Sequence, residues 1–245
     1  MIFRSLVFNL TFLGASTVYC TLALPSLLGP RTWACRARDI WAALVLALLK
    51  HVAGVDHLVE GLENVPRGKI LVAANHQSVW ETLAIHTIFP DPVIVVKREL
   101  LMIPVFGWFI TKLGMIPIDR KAGASAVKEI IREARKKSNT DRPTVIFPQG
   151  TRSAPGLETP YHHGVFALYR ELGVPLCPVA LNSGFHWSHE TFVKRPGTIQ
   201  VRILPAIPPG LGRSAFMNRL ETAIQDASRD LVHTSKLVSE SLAVT

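Results

Sequence analysis

A histidine and a carboxylate at short spacing are the residues of this chain best suited to acid–base chemistry. They belong to the heptapeptide at residues 75–81, Asn-His-Gln-Ser-Val-Trp-Glu, which directly follows an apolar segment at residues 70–74. A histidine accepts a proton near neutral pH, and a nearby carboxylate fixes its tautomer and stabilises the imidazolium. The spacing therefore predicts His76 as a general base that Glu81 orients.

Glu81 also has a second interpretation. Five residues along a regular helix separate two side chains by about 140°, so His76 and Glu81 meet only if His76 lies in the turn before the helix. Ser78 and Glu81 have the spacing of a capping box, in which Ser78 is the N-cap and Glu81 bonds back to it. The sequence leaves open whether Glu81 orients His76, caps the helix or does both, and whether His76 is catalytic or a structural turn histidine.

Three cationic residues near the ends of apolar segments are suited to binding an anion. Lys97 and Arg120 each follow such a segment, and Arg152 follows the sequence Phe-Pro-Gln-Gly-Thr at residues 147–151. Arginine offers a bidentate fork to phosphate, and a Pro-Gln-Gly turn can direct backbone N–H groups at an anion. The alternatives are a solvated basic surface and an ion pair between Arg120 and Asp119. The apolar stretch between Lys97 and Arg120 is either core or a lipid-facing surface.

From about residue 55 onward, segments typical of strands alternate with helical segments. The strand-like segments are residues 69–74, 93–96, 115–118, 144–147, 176–181 and 199–204. The helical segments are residues 81–89, 122–138, 164–172 and 214–232. Short, nearly continuous apolar strands suit a sheet that is covered on both faces. The pattern predicts an α/β domain.

The N-terminal part of the chain has the composition of a membrane attachment. Residues 5–28 are apolar and almost uncharged, and as a helix they would extend about 36 Å, against about 30 Å for a hydrocarbon core. We expect an anchor rather than a signal peptide, because no convincing cleavage site precedes Pro25. Residues 40–49 follow a basic segment and form either an interfacial helix or a buried core helix. We therefore divide the chain into a membrane-anchoring helical pair, 1–54, and a catalytic domain, 55–245.

The overall composition points to a lipid rather than a nucleic acid as the partner. The net charge is +9, which suits anionic partners, but 48% of the residues are hydrophobic. Nucleic-acid-binding proteins rarely combine these two properties, so we expect no nucleic-acid partner. Cys20, Cys35 and Cys177 lie far apart, without metal-ligand or redox spacing. We expect no bound metal.

Four ordered segments together resemble the motifs of the glycerolipid acyltransferases, over about residues 55–210. They are Asn-His-Gln-Ser-x-x-Glu at 75–81, Gly-x4-Asp-Arg at 114–120, Phe-Pro-Gln-Gly-Thr-Arg-Ser at 147–153 and Val-Pro-x-x-Pro-Val at 174–179. In that family the first motif ends in Asp and the third begins Phe-Pro-Glu-Gly. This chain has Glu81, which keeps the charge, and Gln149, which removes a charge and leaves a hydrogen-bonding role.

The resemblance implies a fold and an activity. The fold would be a single catalytic domain with a central mixed, largely parallel sheet flanked by helices, as in glycerol-3-phosphate acyltransferases. The activity would be O-acyl transfer (EC 2.3.1 class) from acyl-CoA or acyl carrier protein to the free hydroxyl of lysophosphatidic acid, giving phosphatidic acid for phospholipid biosynthesis without a cofactor. The alternatives are another lysolipid acceptor and a non-catalytic membrane lipid-binding protein.

The resemblance also assigns roles to site residues. His76 and Glu81 would be the catalytic pair, and Lys97, Arg120 and Arg152 would bind the substrate phosphate. Gln149, Gly150 and Thr151 would position the substrate or stabilise the oxyanion. The protein would lie on membrane phospholipid at the cytoplasmic (inner) membrane, with the catalytic domain facing the cytoplasm.

Overall fold

Two helices form the N-terminal part of the chain. The computed structural model describes residues 1–137 and 140–243. Helix α1 spans Ile2–Leu22, and α2 spans Arg31–Leu48 after a 3₁₀ turn at Leu24–Leu27 that contains Pro25. A π-helical turn, Leu49–Ala53, extends α2. Among the described residues, α1 alone is long and apolar enough to cross a membrane. The basic segment that precedes residue 40 is therefore part of α2 rather than a separate linker.

The strands form one central sheet. Within the described part of the chain there are seven: β1 Val55–Glu60, β2 Leu71–Ala74, β3 Val93–Lys97, β4 Ile116–Ile118, β5 Thr144–Ile146, β6 Leu176–Leu181 and β7 Gly197–Ile203. Their order across the sheet is β1-β7-β6-β2-β5-β3-β4. All neighbouring pairs are parallel except β6 and β7. The predicted mixed, largely parallel sheet is confirmed.

Helices cover both faces of the sheet. The remaining helices are α3 Trp80–Ile88, α4 Phe106–Leu113, α5 Ala124–Lys137, α6 Gly164–Leu172, the short α7 Ser183–His186, and α8 Arg213–Ala243. On β2, Val72 and Ala74 face one apolar core, whereas Leu71 and Ala73 face the other. The first core joins the sheet to α1 to α4, and the second joins it to α5, α6 and α8. This alternation is what a strand buried on both faces requires.

The sequence did not reveal every element. Strand β1 was missed because Asp56, His57 and Glu60 interrupt its apolar pattern, as is common for an edge strand. Helix α4 was missed because Pro104 and Gly107 suggest a turn there. The last helix continues well beyond the predicted end at residue 232. The helix predicted at 122–138 is α5, and its last predicted position, Ser138, lies outside the described residues.

One carboxylate ties α2 to the sheet. Asp91, between α3 and β3, binds Arg31 (Nη2 to Oδ1, 2.6 Å) and the buried Arg38 (Nη1 to Oδ1, 3.1 Å) of α2. Arg142, just before β5, binds its other oxygen (Nε to Oδ2, 3.1 Å). Burial raises the pKa of Asp91, but hydrogen bonds from Arg31 and Arg38 and the charge of Arg142 outweigh this, so the net pKa lies below its ordinary value. The ionised carboxylate therefore stabilises the docked position of α2.

We predict that Asp91→Asn lowers the free energy of unfolding at neutral pH by about 1–3 kcal/mol, because the arginines lose their shared counter-charge. A carboxylate with a lowered folded-state pKa stabilises the fold above its unfolded pKa, and that stabilisation is lost as the pH falls through the lowered value. The difference between the variant and the wild type should therefore shrink below about pH 4.

Thermal unfolding in detergent micelles across pH measures this effect. The control is Asp230→Asn, which removes an ion pair with Arg202 between exposed side chains and should change stability by less than about 1 kcal/mol. An Asp91→Asn protein that melts with the wild type at neutral pH would contradict the assigned role.

Candidate active site

The candidate residues lie where five neighbouring parallel strands end. Strands β6, β2, β5, β3 and β4 run in one direction, so their carboxyl ends share one edge of the sheet. His76 follows β2, Lys97 ends β3, Arg120 follows β4 and Arg152 follows β5. Ligands of open α/β sheets bind outside the carboxyl ends of the strands. The topology therefore gathers at one edge side chains that are up to 76 positions apart in the sequence.

His76 and Glu81 are in direct contact. The His76 Nδ1 lies 2.7 Å from the Glu81 Oε1, and His76 is in the turn between β2 and α3, as the predicted pairing required. Because a carboxylate accepts hydrogen bonds, this contact places the proton on Nδ1 and leaves Nε2 as the basic nitrogen. Within the part of the chain that the structure describes, no protein group bonds Nε2. The histidine is thus arranged as a general base.

Glu81 also caps α3. Its Oε1 accepts the backbone N–H groups of Gln77 (2.6 Å) and Ser78 (2.7 Å), and the Ser78 Oγ accepts the N–H of Trp80 (3.0 Å). Only the bond from the Ser78 N–H to Glu81 is one that the predicted capping box requires, because the Ser78 hydroxyl bonds Trp80 instead of Glu81 and the N-cap of α3 is Val79 rather than Ser78. The other Glu81 oxygen, Oε2, accepts the hydroxyl of Ser183 at 2.7 Å. Orienting His76 and capping the helix are therefore not alternatives, since one buried carboxylate does both.

Gln149 holds the His76 turn against the loop after β5. Its Oε1 accepts the backbone N–H of His76 at 2.6 Å, and its Nε2 donates to the hydroxyls of Ser153 (2.8 Å) and Thr159 (2.7 Å). The Ser153 backbone N–H in turn donates to the His76 carbonyl at 2.9 Å. The neutral amide thus supplies both the acceptor and the donor that this buried position uses.

The imidazole of His76 stacks on Phe147, with ring centroids 4.4 Å apart and an interplanar angle of 23°. Phe147 is buried and begins the loop after β5. The ring is therefore held by Glu81 at one edge and by an aromatic face at its side. Only small movements of the imidazole remain, which suits a proton acceptor that must meet a substrate in one geometry.

His76 lines a large cavity together with the predicted anion-binding residues. The cavity has a volume of about 510 Å³, and its wall includes Lys97, Arg120, Thr151 and Arg152. Most of the remaining wall is apolar, with contributions from α1, α2, α3, β3 and α4. The cavity can accommodate a molecule that has an anionic group and a long apolar part. His76 lies on the wall between the cationic residues and the apolar residues.

The cationic side chains differ in their surroundings. The Lys97 Nζ lies 3.3 Å from the Glu99 Oε1, and both side chains are half exposed. Desolvation lowers the pKa of Arg120 and the nearby Glu99 carboxylate raises it, but the guanidinium remains charged near neutral pH. Arg152 is exposed on the cavity wall. All three are therefore able to meet a ligand.

The turn after β5 uses one of its backbone donors internally. Gly150 has φ +68, a conformation that favours glycine, and its N–H donates to the Phe147 carbonyl at 3.0 Å. A Cβ at this position would meet the His162 ring at 2.7 Å. Of the three residues predicted to position the substrate or stabilise the oxyanion, Gln149 therefore bonds the His76 turn and Gly150 shapes its own turn. Thr151, which lines the cavity, is the better candidate for the donor.

The part of the cavity away from the strand ends contains a buried neutral histidine. Thr82, Leu83 and His86 contribute one face of α3 to the wall, and Ser78 and Val79 contribute the turn that precedes this helix. Desolvation and the charge of Arg38 lower the pKa of His86 to about 3, so its imidazole is neutral. Among the residues that the structure describes, its Nδ1 has no hydrogen-bond partner. The imidazole therefore adds no charge to this end of the cavity, whereas the charged Arg38 lies on the same wall.

Several contributors to the site were missed from the sequence. Ser183, which bonds Glu81, follows β6 and lies about 100 residues from the heptapeptide, so no local pattern indicates it. Asn75 was quoted only as part of the motif, yet its side chain bonds the Leu181 backbone in both directions (2.9 Å each). The signal that could have found Ser183 is topological, since it follows a strand that was predicted correctly.

Comparisons with known proteins agree with these motifs. Residues 57–182 match the family model described as Acyltransferase. A 1-acyl-sn-glycerol-3-phosphate acyltransferase of Pseudomonas aeruginosa is 37% identical over 167 residues, which are 68% of this chain and 65% of that protein. The mouse 1-acyl-sn-glycerol-3-phosphate acyltransferase alpha is 31% identical over 182 residues, 71% of this chain and 64% of that protein. The chain thus spans slightly less than two thirds of the length of these curated relatives.

A solved structure has the same fold. The crystal structure of the 1-acyl-sn-glycerophosphate acyltransferase PlsC from Thermotoga maritima superimposes with a TM-score of 0.77. The match covers 94% of this chain and 96% of the other, at 24% sequence identity. The arrangement of helices and strands, including the N-terminal helices, is therefore shared.

We predict that the amide at position 149 can be exchanged for a carboxylate but not for an apolar group. Gln149→Leu removes three hydrogen bonds, of which one is buried and two are partly buried, and leaves their partners unsatisfied, so the free energy of unfolding should fall by about 2–4 kcal/mol. Gln149→Glu keeps an acceptor for the His76 N–H and lets the two hydroxyls donate instead, so the loss should stay below about 1 kcal/mol. Denaturant unfolding of both variants tests this, and equal losses would contradict the hydrogen-bonding role.

Proposed function

The chain belongs to the acyltransferase family, and on that basis we propose that it transfers a fatty acyl group to the free hydroxyl of 1-acyl-glycerol-3-phosphate, giving phosphatidic acid. The observation that carries the proposal is the 2.7 Å contact between His76 and Glu81 on the wall of a cavity that also presents Lys97, Arg120 and Arg152. The relatives named above, which carry this activity in their names, support the choice of acceptor.

The proposed reaction is a direct transfer with His76 as general base. The Nε2 of His76 takes the proton of the acceptor hydroxyl while its oxygen attacks the carbonyl carbon of an acyl thioester. A tetrahedral oxyanion forms, for which the Thr151 backbone N–H is the candidate donor. The carbon–sulfur bond then breaks, the thiolate leaves, and the imidazolium returns its proton to the sulfur. Glu81 stabilises the imidazolium during these steps. No metal or cofactor takes part in this scheme.

The cations and the apolar wall support a lysophospholipid acceptor. A phosphate monoester would be bound by Lys97, Arg120 and Arg152, of which the two arginines offer bidentate forks. An acyl chain would occupy the apolar part of the cavity beside α3. The long apolar helix α1 supports attachment to membrane phospholipid, with the catalytic residues on the cytoplasmic side of the inner membrane. The thioester donor would be acyl-CoA or acyl carrier protein.

We predict that His76→Ala abolishes phosphatidate formation and that Glu81→Gln lowers turnover by about 100-fold or more. The glutamine can keep the capping bonds and the contact with Ser183, but it lacks the charge that stabilises the imidazolium. The measurement is the conversion of 1-acyl-glycerol-3-phosphate by purified protein, with acyl-CoA and with acylated carrier protein in separate assays. The control is His189→Ala, an exposed histidine that does not line the cavity, which should keep wild-type turnover. Undiminished product from His76→Ala would refute the mechanism.

We predict that Arg120→Ala and Arg152→Ala each reduce kcat/KM for the phosphorylated acceptor by about 10- to 100-fold, the loss expected for one charge-assisted hydrogen bond. The effect should appear mainly in KM and should be much smaller with a monoacylglycerol, which lacks the phosphate. Arg219→Ala, on the exposed face of α8, is the matched control. A loss that is equal for both acceptors would mean that these arginines do not bind the phosphate.

A further inference from the structure

Residues 101–108, which we call the apolar loop, present large apolar side chains to the outside of the protein. The exposed fractions are 83% for Met102, 47% for Ile103, 37% for Phe106 and 56% for Trp108. Leaving such a side chain in water rather than in an apolar environment is unfavourable in free energy. Single exposed apolar residues are ordinary, but four within seven positions form a patch that indicates an interaction surface.

The loop is held in this shape by its own backbone. The Phe106 N–H donates to the Pro104 carbonyl at 2.7 Å, which closes a three-residue turn around Val105. Val105 has φ +65, which is a strained conformation for a β-branched residue. Gly107 packs so closely that a Cβ there would meet the Leu101 carbonyl oxygen at 2.1 Å. The strain is kept in a structure that turns apolar side chains outward, which favours a function for that surface.

The apolar loop is continuous with the part of the protein that we propose to contact lipid. Helix α4 packs against α2 and against the 3₁₀ turn that follows α1. Near that turn Leu22 and Leu28 are also highly exposed. Phe106 lines the same cavity as Tyr19 of α1. One apolar surface thus runs from α1 across the turn to the loop and borders the cavity.

The charges around the loop suit an anionic bilayer. Lys97 and Arg98 precede it, beside the carboxylates of Glu99 and Glu129 respectively, and Lys112 lies one turn beyond Trp108 on α4. Basic residues that flank exposed Trp and aliphatic side chains are typical of segments lying at a membrane surface. The net charge of +9 likewise favours binding to an anionic surface.

We propose that the apolar loop inserts into the bilayer as a second membrane contact beside α1, and that it places the edge of the cavity in the lipid. A lysophospholipid would then enter from the bilayer without passing through water. The entry route rests on the proposed function, whereas the lipid contact itself does not.

A tryptophan introduced at the loop tests the lipid contact. Met102→Trp adds a fluorophore at the most exposed position of the loop, and Leu62→Trp adds one at a comparably apolar position, 55% exposed, that follows β1 at the opposite edge of the sheet. The probe is a vesicle of phosphatidylcholine and phosphatidylglycerol, with and without brominated acyl chains.

With vesicles, the emission added by Met102→Trp should shift to the blue and be largely quenched by the brominated chains. The emission added by Leu62→Trp should remain that of a tryptophan in water. Equal behaviour of the two variants would overturn the proposal. A blue shift of Met102→Trp that grows with protein concentration in the absence of vesicles would show self-association instead and would also overturn it.

A paired variant tests the entry route. Met102→Ser combined with Trp108→Ser should weaken vesicle binding about tenfold or more and lower turnover of vesicle-embedded acceptor to a similar degree. Turnover of a short-chain, water-soluble 1-acyl-glycerol-3-phosphate should be unchanged. Equal loss with both acceptors would overturn the entry route. Absence of acyl transfer by the wild type, together with quenched emission of Met102→Trp, would refute the proposed function and leave the membrane contact standing.

Discussion

The geometry of the candidate site depends on the buried carboxylate of Glu81. It accepts hydrogen bonds from the His76 imidazole, from two backbone N–H groups of the following turn and from the Ser183 hydroxyl. These groups belong to the turn between β2 and α3 and to the start of α7. A charge in the interior must be fully bonded, and here the bonding partners are the elements that have to be aligned. The hydrogen bonds that satisfy the buried Glu81 carboxylate therefore also fix the orientation of the His76 imidazole.

Much of this arrangement could be predicted because it is encoded locally. The His76–Glu81 spacing is readable within seven residues, and the apolar strands identify the sheet whose carboxyl edge collects the cations. The contacts of Ser183 and Asp91 could not be predicted, because each joins segments far apart in the sequence and depends on the three-dimensional packing of the helices. The sequence presents capping and orientation of the imidazole as alternatives, because it does not show that a single oxygen, Oε1 of Glu81, contacts both the backbone N–H groups of the turn and the His76 ring.

Position 149 illustrates how a departure from a family motif can be accommodated. A carboxylate and an amide have nearly the same shape, and both offer an oxygen to the His76 backbone N–H. They differ at the second atom, which accepts in one case and donates in the other. The hydroxyls of Ser153 and Thr159 can take either part. The two loops can thus remain joined without a charge at this position.

The N-terminal helices are part of the apolar core and of the cavity wall as well as a membrane attachment. Tyr19 of α1 and Arg38 of α2 are part of the cavity wall, and Phe8 belongs to the same apolar core as the sheet. Shortening a membrane-attached enzyme to its globular part is a common way to obtain a soluble preparation. In this protein, removing α1 and α2 would expose the apolar core and open one side of the cavity. The N-terminal helices and the α/β domain therefore have to be purified together.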